Sequence, residues 1–165
     1  MKNFIVSVLL LLPLGLAAQE VKIAVVNSQE CFNLLPELSE VEKELSTFAK
    51  QYQDAMKGME DEYNRKFADL TAQNDSLTEN IRVLRMQEIQ SIQDRMENFA
   101  PMAREEINKK QEALIAPLWE KIQKAINEVG EENGYTYILN PQAVVFKGSH
   151  AIDATDKVKA KLGLK

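Results

Sequence analysis

The sequence contains few of the residues that build catalytic or metal centres. It has one cysteine, Cys31, and one histidine, His150. A Cys/His zinc site needs three or four ligands and a disulfide bond needs two cysteines, so a single chain can form neither. Acidic pairs such as Glu105-Glu106 are typical of a solvated helix face, and no nucleophile–base set or glycine-rich phosphate loop accompanies them. The sequence therefore predicts a protein that is not an enzyme and has no metal or cofactor.

Glycine and proline are also scarce, at six and five residues in a chain of 165. Between Glu37 and Ala116 they are represented only by Gly58 and Pro101. Turns depend on these two residue types, so this stretch cannot hold many short elements. We expect a few very long helices there.

The chain lacks an excess of basic residues. Its 25 acidic residues outnumber its 20 basic ones, which gives a formal net charge of −5. Proteins that bind nucleic acid usually carry a basic excess on one face. The composition argues against nucleic acid as a partner.

Only one long apolar run occurs, at the N-terminus. Lys2 precedes the run at residues 4–12, and the small residues Ala17 and Ala18 follow it. This order is typical of a secretory signal peptide, and the run is shorter than the roughly 20 residues that span a bilayer. We expect residues 1–18 to be removed by cleavage after Ala18, with Ala17 as the alternative, and the mature protein to be exported and soluble. A retained membrane anchor is the other interpretation.

Residues 19–36 form the first part of a small body. The β-branched residues at 21–26 predict a strand. Ser28 is a candidate N-cap for a short helix over residues 29–35, which stops at Pro36. Cys31 lies in this helix, and we interpret it as a small buried apolar side chain, because free cysteine is often buried.

Residues 37–116 carry the spacing of a coiled-coil hairpin. Apolar residues at 38–59 recur at alternating steps of three and four, and a second apolar run covers residues 81–114. The one cluster of turn-prone residues between them is 73–76. We expect an antiparallel hairpin with its tip within residues 72–78 and arms of about 60 Å.

Two residues are candidate hinges in these arms. Pro101 removes a backbone hydrogen bond, so we expect a kink over residues 97–101. Gly58 lies just before the heptad spacing changes after Met59. Both mark places where a stiff arm can bend around a partner.

Apart from Met1, every methionine lies in the predicted arms. Methionine recurs on surfaces that bind many partners, but it also fills irregular gaps between packed helices, so both interpretations stay open. The candidate partner contacts on the arms are Met56, Met59, Phe67, Met86, Met96, Phe99 and Met102.

Residues 117–165 form the second part of the body. Pro117 suits the first position of a new helix, which Gly130 or Gly134 would end. A turn at Asn140-Pro141 separates two β-rich runs, residues 135–139 and 143–147, and this spacing predicts a β-hairpin.

Asp153 or Thr155 can cap a final helix that extends through Leu162 and stops at Gly163. The predicted fold class is α+β, with a small sheet, short helices and one long helical hairpin. A body of this size is marginal alone and often oligomerises. The candidates for its core and oligomer contacts are Ile23, Val25, Ile138, Val144 and Phe146.

In this order the segments resemble the Skp/OmpH family of periplasmic chaperones. The resemblance covers essentially the whole mature chain, and it rests on the ordered set rather than on one motif. After the signal, the matching residues are 22–28, 32–37, 117–126, 132–139, 144–146 and 152–155.

The resemblance implies a jellyfish-like homotrimer, in which three bodies share a β core and three hairpin arms hang from it. It implies an ATP-independent holdase of the periplasm, which binds unfolded outer-membrane β-barrel proteins between the arms and prevents their aggregation on the way to the outer membrane. The alternative function is a structural coiled-coil spacer or adaptor of the cell envelope.

One feature departs from the family pattern. Several well-known members are strongly basic, whereas residues 41–114 here hold 11 basic and 15 acidic residues. Contact with anionic lipid is worth about 1 kcal/mol per basic residue near the surface, so we expect membrane contact to be weak. Client capture then depends more on apolar contact.

Overall fold

Two long helices dominate the protein. The computed structural model describes residues 21–73 and 76–164, so the expected signal peptide lies outside the described residues. The elements in chain order are β1 (Ile23–Val25), α1 (Ser28–Asn33), α2 (Leu38–Gln73), α3 (Glu79–Asn133), β2 (Tyr137–Leu139), a 3-10 turn (Pro141–Ala143), β3 (Ile152–Asp153) and α4 (Thr155–Lys161). The chain is therefore mostly helical, with a small sheet.

The long helices α2 and α3 pack against each other as an antiparallel hairpin. Glu44 of α2 pairs with Lys110 of α3 at 2.6 Å, and Lys66 pairs with Glu88 at 2.7 Å. Residue numbers therefore increase along α2 while those of the contacting residues in α3 decrease, as in an antiparallel pair. The helices have 36 and 55 residues, which corresponds to about 55 Å and about 80 Å.

The prediction of a new helix at Pro117 was wrong. α3 continues through both Pro101 and Pro117 to Asn133, so one helix belongs to the arm and to the body. A proline removes one hydrogen bond of a helix. Directly after Pro117, Leu118 and Ile122 are 7% and 1% exposed, and their burial holds the helix on the body. The kink expected at residues 97–101 stays a prediction.

The three strands form a parallel sheet in the order β2-β1-β3. The predicted hairpin was wrong, because its second strand does not form. Asn140 instead accepts a hydrogen bond from the Gln142 backbone N–H at 3.0 Å and begins the 3-10 turn. The chain then returns to the sheet only at Ile152, which pairs with Ala24 in the middle strand.

The core lies where α1, α4, β1 and the last turns of α3 meet. Val129 of α3 and Val158 of α4 are at most 2% exposed, and Cys31 is fully buried among the same residues. This confirms the interpretation of Cys31 as a buried apolar side chain. The burial also raises the pKa of its thiol.

Polar caps join these short elements. Asn27, not the predicted Ser28, caps α1, since its side chain accepts a hydrogen bond from the Glu30 backbone N–H at 3.1 Å. Ala154, not the predicted Asp153 or Thr155, occupies the N-cap position of α4, and its side chain makes no cap hydrogen bond. Just before it, the Asp153 carboxylate accepts hydrogen bonds from the backbone N–H and the hydroxyl of Thr155. Gly163 follows α4 with a φ of 74°, and it ends the helix as predicted.

Candidate functional site

The helical hairpin, referred to below as the arm, buries few of its own apolar residues. No residue of α2 is fully buried. On the arm portion of α3, only Ile89, Ile92 and Ala103 are less than 9% exposed. Because two helices cover each other on one side only, much of each apolar stripe stays in contact with solvent.

Aromatic contacts hold the middle of the arm together. Tyr52 lies 5.2 Å from Phe48 on the same helix and 5.9 Å from Phe99 on the other helix, measured between ring centroids. Further out, the Gln93 amide donates a hydrogen bond to the Tyr63 hydroxyl at 3.3 Å. These contacts position the two helices against each other.

Ion pairs between the helices follow the same antiparallel alignment. Arg95 contacts Glu62 at 3.2 Å, and Lys66 contacts Glu88. The hydrogen bond from Lys66 lowers the pKa of the Glu88 carboxyl. Exposed pairs of this kind contribute little to stability, so their main effect here is to favour one alignment of the helices.

Exposed apolar side chains surround the arm close to its tip, and we call this group the distal surface. Its side chains are 43–53% exposed. Two of the candidate contacts, Phe67 and Met86, belong to it. The members of the distal surface are Phe67, Ile81, Val83, Leu84 and Met86.

The second apolar run predicted from the sequence includes Ile81 and Leu84 but not Val83, and this run was expected to face the other helix. The structure leaves these three side chains accessible instead. The segment 81–86 did contain a signal, because four of its six residues are apolar. Apolar residues this dense point to more than one side of a helix, and a single partner helix cannot cover them all.

A groove of about 430 Å³ opens beside the distal surface. Ile81 and Leu84 supply its apolar part, and charged side chains surround them. The groove is lined by Lys66, Asp69, Ile81, Leu84, Arg85 and Glu88. Such an arrangement can accept an apolar side chain of an extended peptide while its backbone stays near polar groups.

A second groove, the mid-arm groove, has a volume of about 450 Å³. It brings together three of the candidate contacts, Met59, Phe99 and Met102, of which Met102 is 46% exposed. Ser91, Asp94, Arg95 and Asn98 complete its lining. Methionine and phenylalanine side chains here offer an adaptable apolar contact.

The remaining arm candidates occupy other positions. Met56 and Met96 are half-buried on α2 and α3. Gly58 lies inside α2, where an added Cβ would meet no atom within 4 Å. Pro101 is exposed within α3. The contact and hinge roles of these residues stay predictions.

One face of the sheet is only partly covered, since Val25 on this face is 4% exposed whereas its neighbours are accessible, and we call it the open sheet face. Ile23 pairs with Tyr137 along the sheet and so points to the same side, where Leu139 joins them two residues on. These three side chains are 47%, 59% and 40% exposed. Parallel sheets are normally covered on both faces, so these three exposed side chains are candidate contacts for a partner.

The other body candidates differ in exposure. Val25 is 4% exposed, and Ile138 packs against the core from the inner face of the sheet. Val144 is half-buried, whereas Phe146 is 83% exposed and its neighbour Val145 is fully exposed. Sequence reasoning did not select Tyr137, Leu139 or Val145.

Neither a metal centre nor a membrane span emerges from the described residues. Across residues 21–73 and 76–164, no three His, Cys, Asp or Glu side chains cluster in a way that could hold an ion. None of the helices in the same residues is long and apolar enough to cross a membrane.

Comparison with known proteins identifies the family. No curated protein sequence matches the chain. A crystal structure of a candidate outer membrane chaperone (OmpH-like) from Caulobacter crescentus has the same fold, with a TM-score of 0.74 and 15% identity, over 86% of this chain and 83% of that one. The family described as Outer membrane protein (OmpH-like) matches residues 22–162, and the chain belongs to this OmpH-like family.

Proposed function

We propose that the protein is an ATP-independent holdase chaperone of the periplasm. It binds unfolded outer-membrane β-barrel proteins between its helical arms and prevents their aggregation during transit to the outer membrane. Membership of the OmpH-like family supports this function. The observation that carries the proposal is the apolar distal surface, which the protein exposes on a long arm without covering it.

The same observation favours a holdase over a structural spacer. A coiled coil that only separates two partners needs charged outer faces. Here five large apolar side chains of one arm are 43–53% exposed. Large exposed apolar side chains concentrated near the tip of an arm mark an interaction site, and a holdase uses such side chains for many clients.

The proposal includes assembly into a homotrimer with three arms around a cavity. The open sheet face supports self-association, because a second copy would cover Ile23, Tyr137 and Leu139. Phe146 and Val145 lie exposed after the 3-10 turn and add apolar surface to the body. A body of three short strands gains a sufficient core when copies combine.

Light scattering of a denatured outer-membrane barrel tests the holdase function. The mature protein in molar excess is expected to suppress aggregation of the barrel. The double variant Ile81→Ser with Leu84→Ser should suppress aggregation several-fold less, because the groove beside the distal surface loses its apolar side chains. The matched control is Gln87→Ser with Gln90→Ser, two exposed positions on the same helix.

Two results would contradict the proposal. Aggregation that proceeds unchanged with the wild-type protein excludes a holdase. Recovery of one stoichiometric envelope partner, rather than many unrelated barrels, in a pull-down would instead establish the spacer function.

We also propose that Gly58 and Pro101 let the arm bend around clients of different size. Gly58 makes no packing contact that alanine would disturb. The variant Gly58→Ala with Pro101→Ala should therefore fold normally and hold a narrower range of client sizes. An unchanged size range would argue against hinges at these positions.

A further inference from the structure

Among the described residues, the exposed sulfur-containing side chains lie on the arm. Met86 and Met102 of α3 are 53% and 46% exposed. The one cysteine, Cys31, is fully buried, and this burial raises its pKa, so the reactive thiolate is disfavoured. An oxidant that meets the folded protein therefore meets methionine thioethers first.

The two exposed methionines belong to the two apolar surfaces of the arm. Met86 is part of the distal surface, one helical turn from Val83. Met102 lines the mid-arm groove together with Met59 and Phe99. Met56, Met59 and Met96 are half-buried, so an oxidant reaches these side chains less readily.

We propose that Met86 and Met102 are modification sites at which a two-electron oxidant switches off the apolar surface of the arm. The switch acts on client binding, and in this respect it rests on the proposed holdase function. Its reversal requires methionine sulfoxide reductases, which act on the two epimers of the sulfoxide.

The chemistry balances with a hypohalous acid as oxidant. Hypochlorous acid transfers its oxygen atom to the thioether sulfur, which loses two electrons and becomes a sulfoxide. The chlorine leaves as chloride, and a proton is released. In the reverse direction, two thiols reduce the sulfoxide to the thioether, form a disulfide and release water.

The position of the two side chains explains why oxidation would act on binding and spare the fold. A sulfoxide at an exposed position is hydrated by solvent, so the helices need not move. A client segment that covers this position must remove that water from a strongly polar group, which opposes binding. At the half-buried Met56, Met59 and Met96, oxidation would instead disturb the packing of the arm.

The test treats the mature protein with limiting hypochlorous acid and locates sulfoxides by peptide mass spectrometry. Three further readouts are helix content by circular dichroism, suppression of barrel aggregation, and binding of a fluorescent dye specific for apolar surface. Wild type is compared with Met86→Leu/Met102→Leu. The matched control is Met56→Leu/Met96→Leu, which keeps the two exposed methionines.

We expect sulfoxides at Met86 and Met102 before the other three positions, with unchanged helix content. Aggregation suppression should fall about fivefold in wild type and in the control variant. Dye binding should fall by a smaller factor, because exposed apolar side chains such as Phe146 are not oxidised, and reductase treatment should restore both signals. The Met86→Leu/Met102→Leu variant should keep both under the same treatment.

Three results would overturn the inference. The first is oxidation of the half-buried methionines before Met86 and Met102. The second is an equal loss of aggregation suppression and dye binding in the Met86→Leu/Met102→Leu variant, and the third is a fall in helix content that parallels this loss. If untreated wild type suppresses no aggregation, the holdase proposal fails. Dye binding then still tests the proposed oxidation of the apolar surface. A fall in dye binding on oxidation that reductase treatment reverses supports it, and an unchanged dye signal overturns it.

Discussion

Gly58 lies within a long helix and Gly134 ends the other one, so the two glycines meet opposite backbone requirements. Gly58 lies within α2, and an added Cβ would point into open space. Gly134 follows α3 with a φ of 62°, the left-handed conformation that ends the helix, and its N–H donates a hydrogen bond to the Glu131 carbonyl at 3.2 Å. The same substitution should therefore have opposite effects at these positions.

Gly58→Ala should raise the free energy of unfolding by about 1 kcal/mol, because alanine loses less backbone entropy in a helix. Gly134→Ala should lower it by about 1 kcal/mol, because a Cβ strains the left-handed conformation. Urea unfolding followed by circular dichroism measures both changes. Shifts of the same sign at the two positions would contradict this assignment.

Asp153 links the loop before β3 to the start of α4. Its carboxylate pairs with Lys147 at 2.7 Å and accepts two hydrogen bonds from Thr155. The hydrogen bond from Lys147, followed by those from Thr155, lowers the pKa of Asp153 to about 2. The carboxylate therefore stabilises the fold above its unfolded pKa of 3.8, and this contribution disappears as the pH falls through about 2.

Asp153→Asn should lower the free energy of unfolding by about 1 kcal/mol at neutral pH, a value reduced for solvent screening because the side chain is half exposed. The difference from wild type should shrink steadily as the pH is lowered from 5 towards 2. Urea titrations at a series of pH values provide the measurement. A difference that stays constant over this range would contradict the role of the carboxylate.

At the scale of elements, α3 carries two kinds of apolar position. Ile92 is 1% exposed against α2, whereas Ile81 is 43% exposed near the tip. Both are isoleucines in the same helix and in the same predicted apolar run. The difference between their exposed fractions therefore shows that α2 covers α3 tightly in the middle of the arm and loosely near the tip.

Ile92→Ala should lower the free energy of unfolding by about 3 kcal/mol, because it leaves a cavity between the helices. Ile81→Ala should cost less than about 1 kcal/mol, because water already contacts much of the side chain. Thermal and urea unfolding of both variants provide the comparison. Equal losses would show that the tip is as tightly closed as the middle of the arm.

Element type followed from local pattern wherever the pattern was long. The spacing of apolar residues over 38–59 is enough to specify α2, since every turn repeats the same information. Residues 143–147 offered only a short β-rich run, and the Asn140 side chain starts a turn there instead. At Pro117, burial of the neighbouring Leu118 outweighs the local preference for a helix boundary.

At the scale of the whole molecule, the body exposes apolar surface that one chain does not cover. Tyr137 is 59% exposed on the open sheet face, and Phe146 is 83% exposed on the loop before β3. Neither side chain belongs to the core of the monomer. Replacing them should therefore affect assembly more than folding.

Wild-type mature protein should have about three times the monomer mass by multi-angle light scattering, as proposed for a trimer. Tyr137→Ser with Phe146→Ser should shift the mass towards the monomer, while helix content stays the same. Gln142→Ser with Ser149→Ala, two exposed changes in the same loop, is the control. A monomeric wild type would refute the cavity between three arms.

The sequence by itself determined the long helices, the scarcity of catalytic and metal-binding residues, and the burial of Cys31. Composition and helical periodicity are local properties, and the periodicity is repeated over many residues. Only the tertiary structure decided that α3 joins arm and body, that the sheet is parallel, and that Ile81, Val83 and Leu84 remain exposed. These features depend on which surfaces meet. Two packed helices cover only one side of each other. The apolar residues near the tip that they do not cover form the distal surface, which is the candidate binding site.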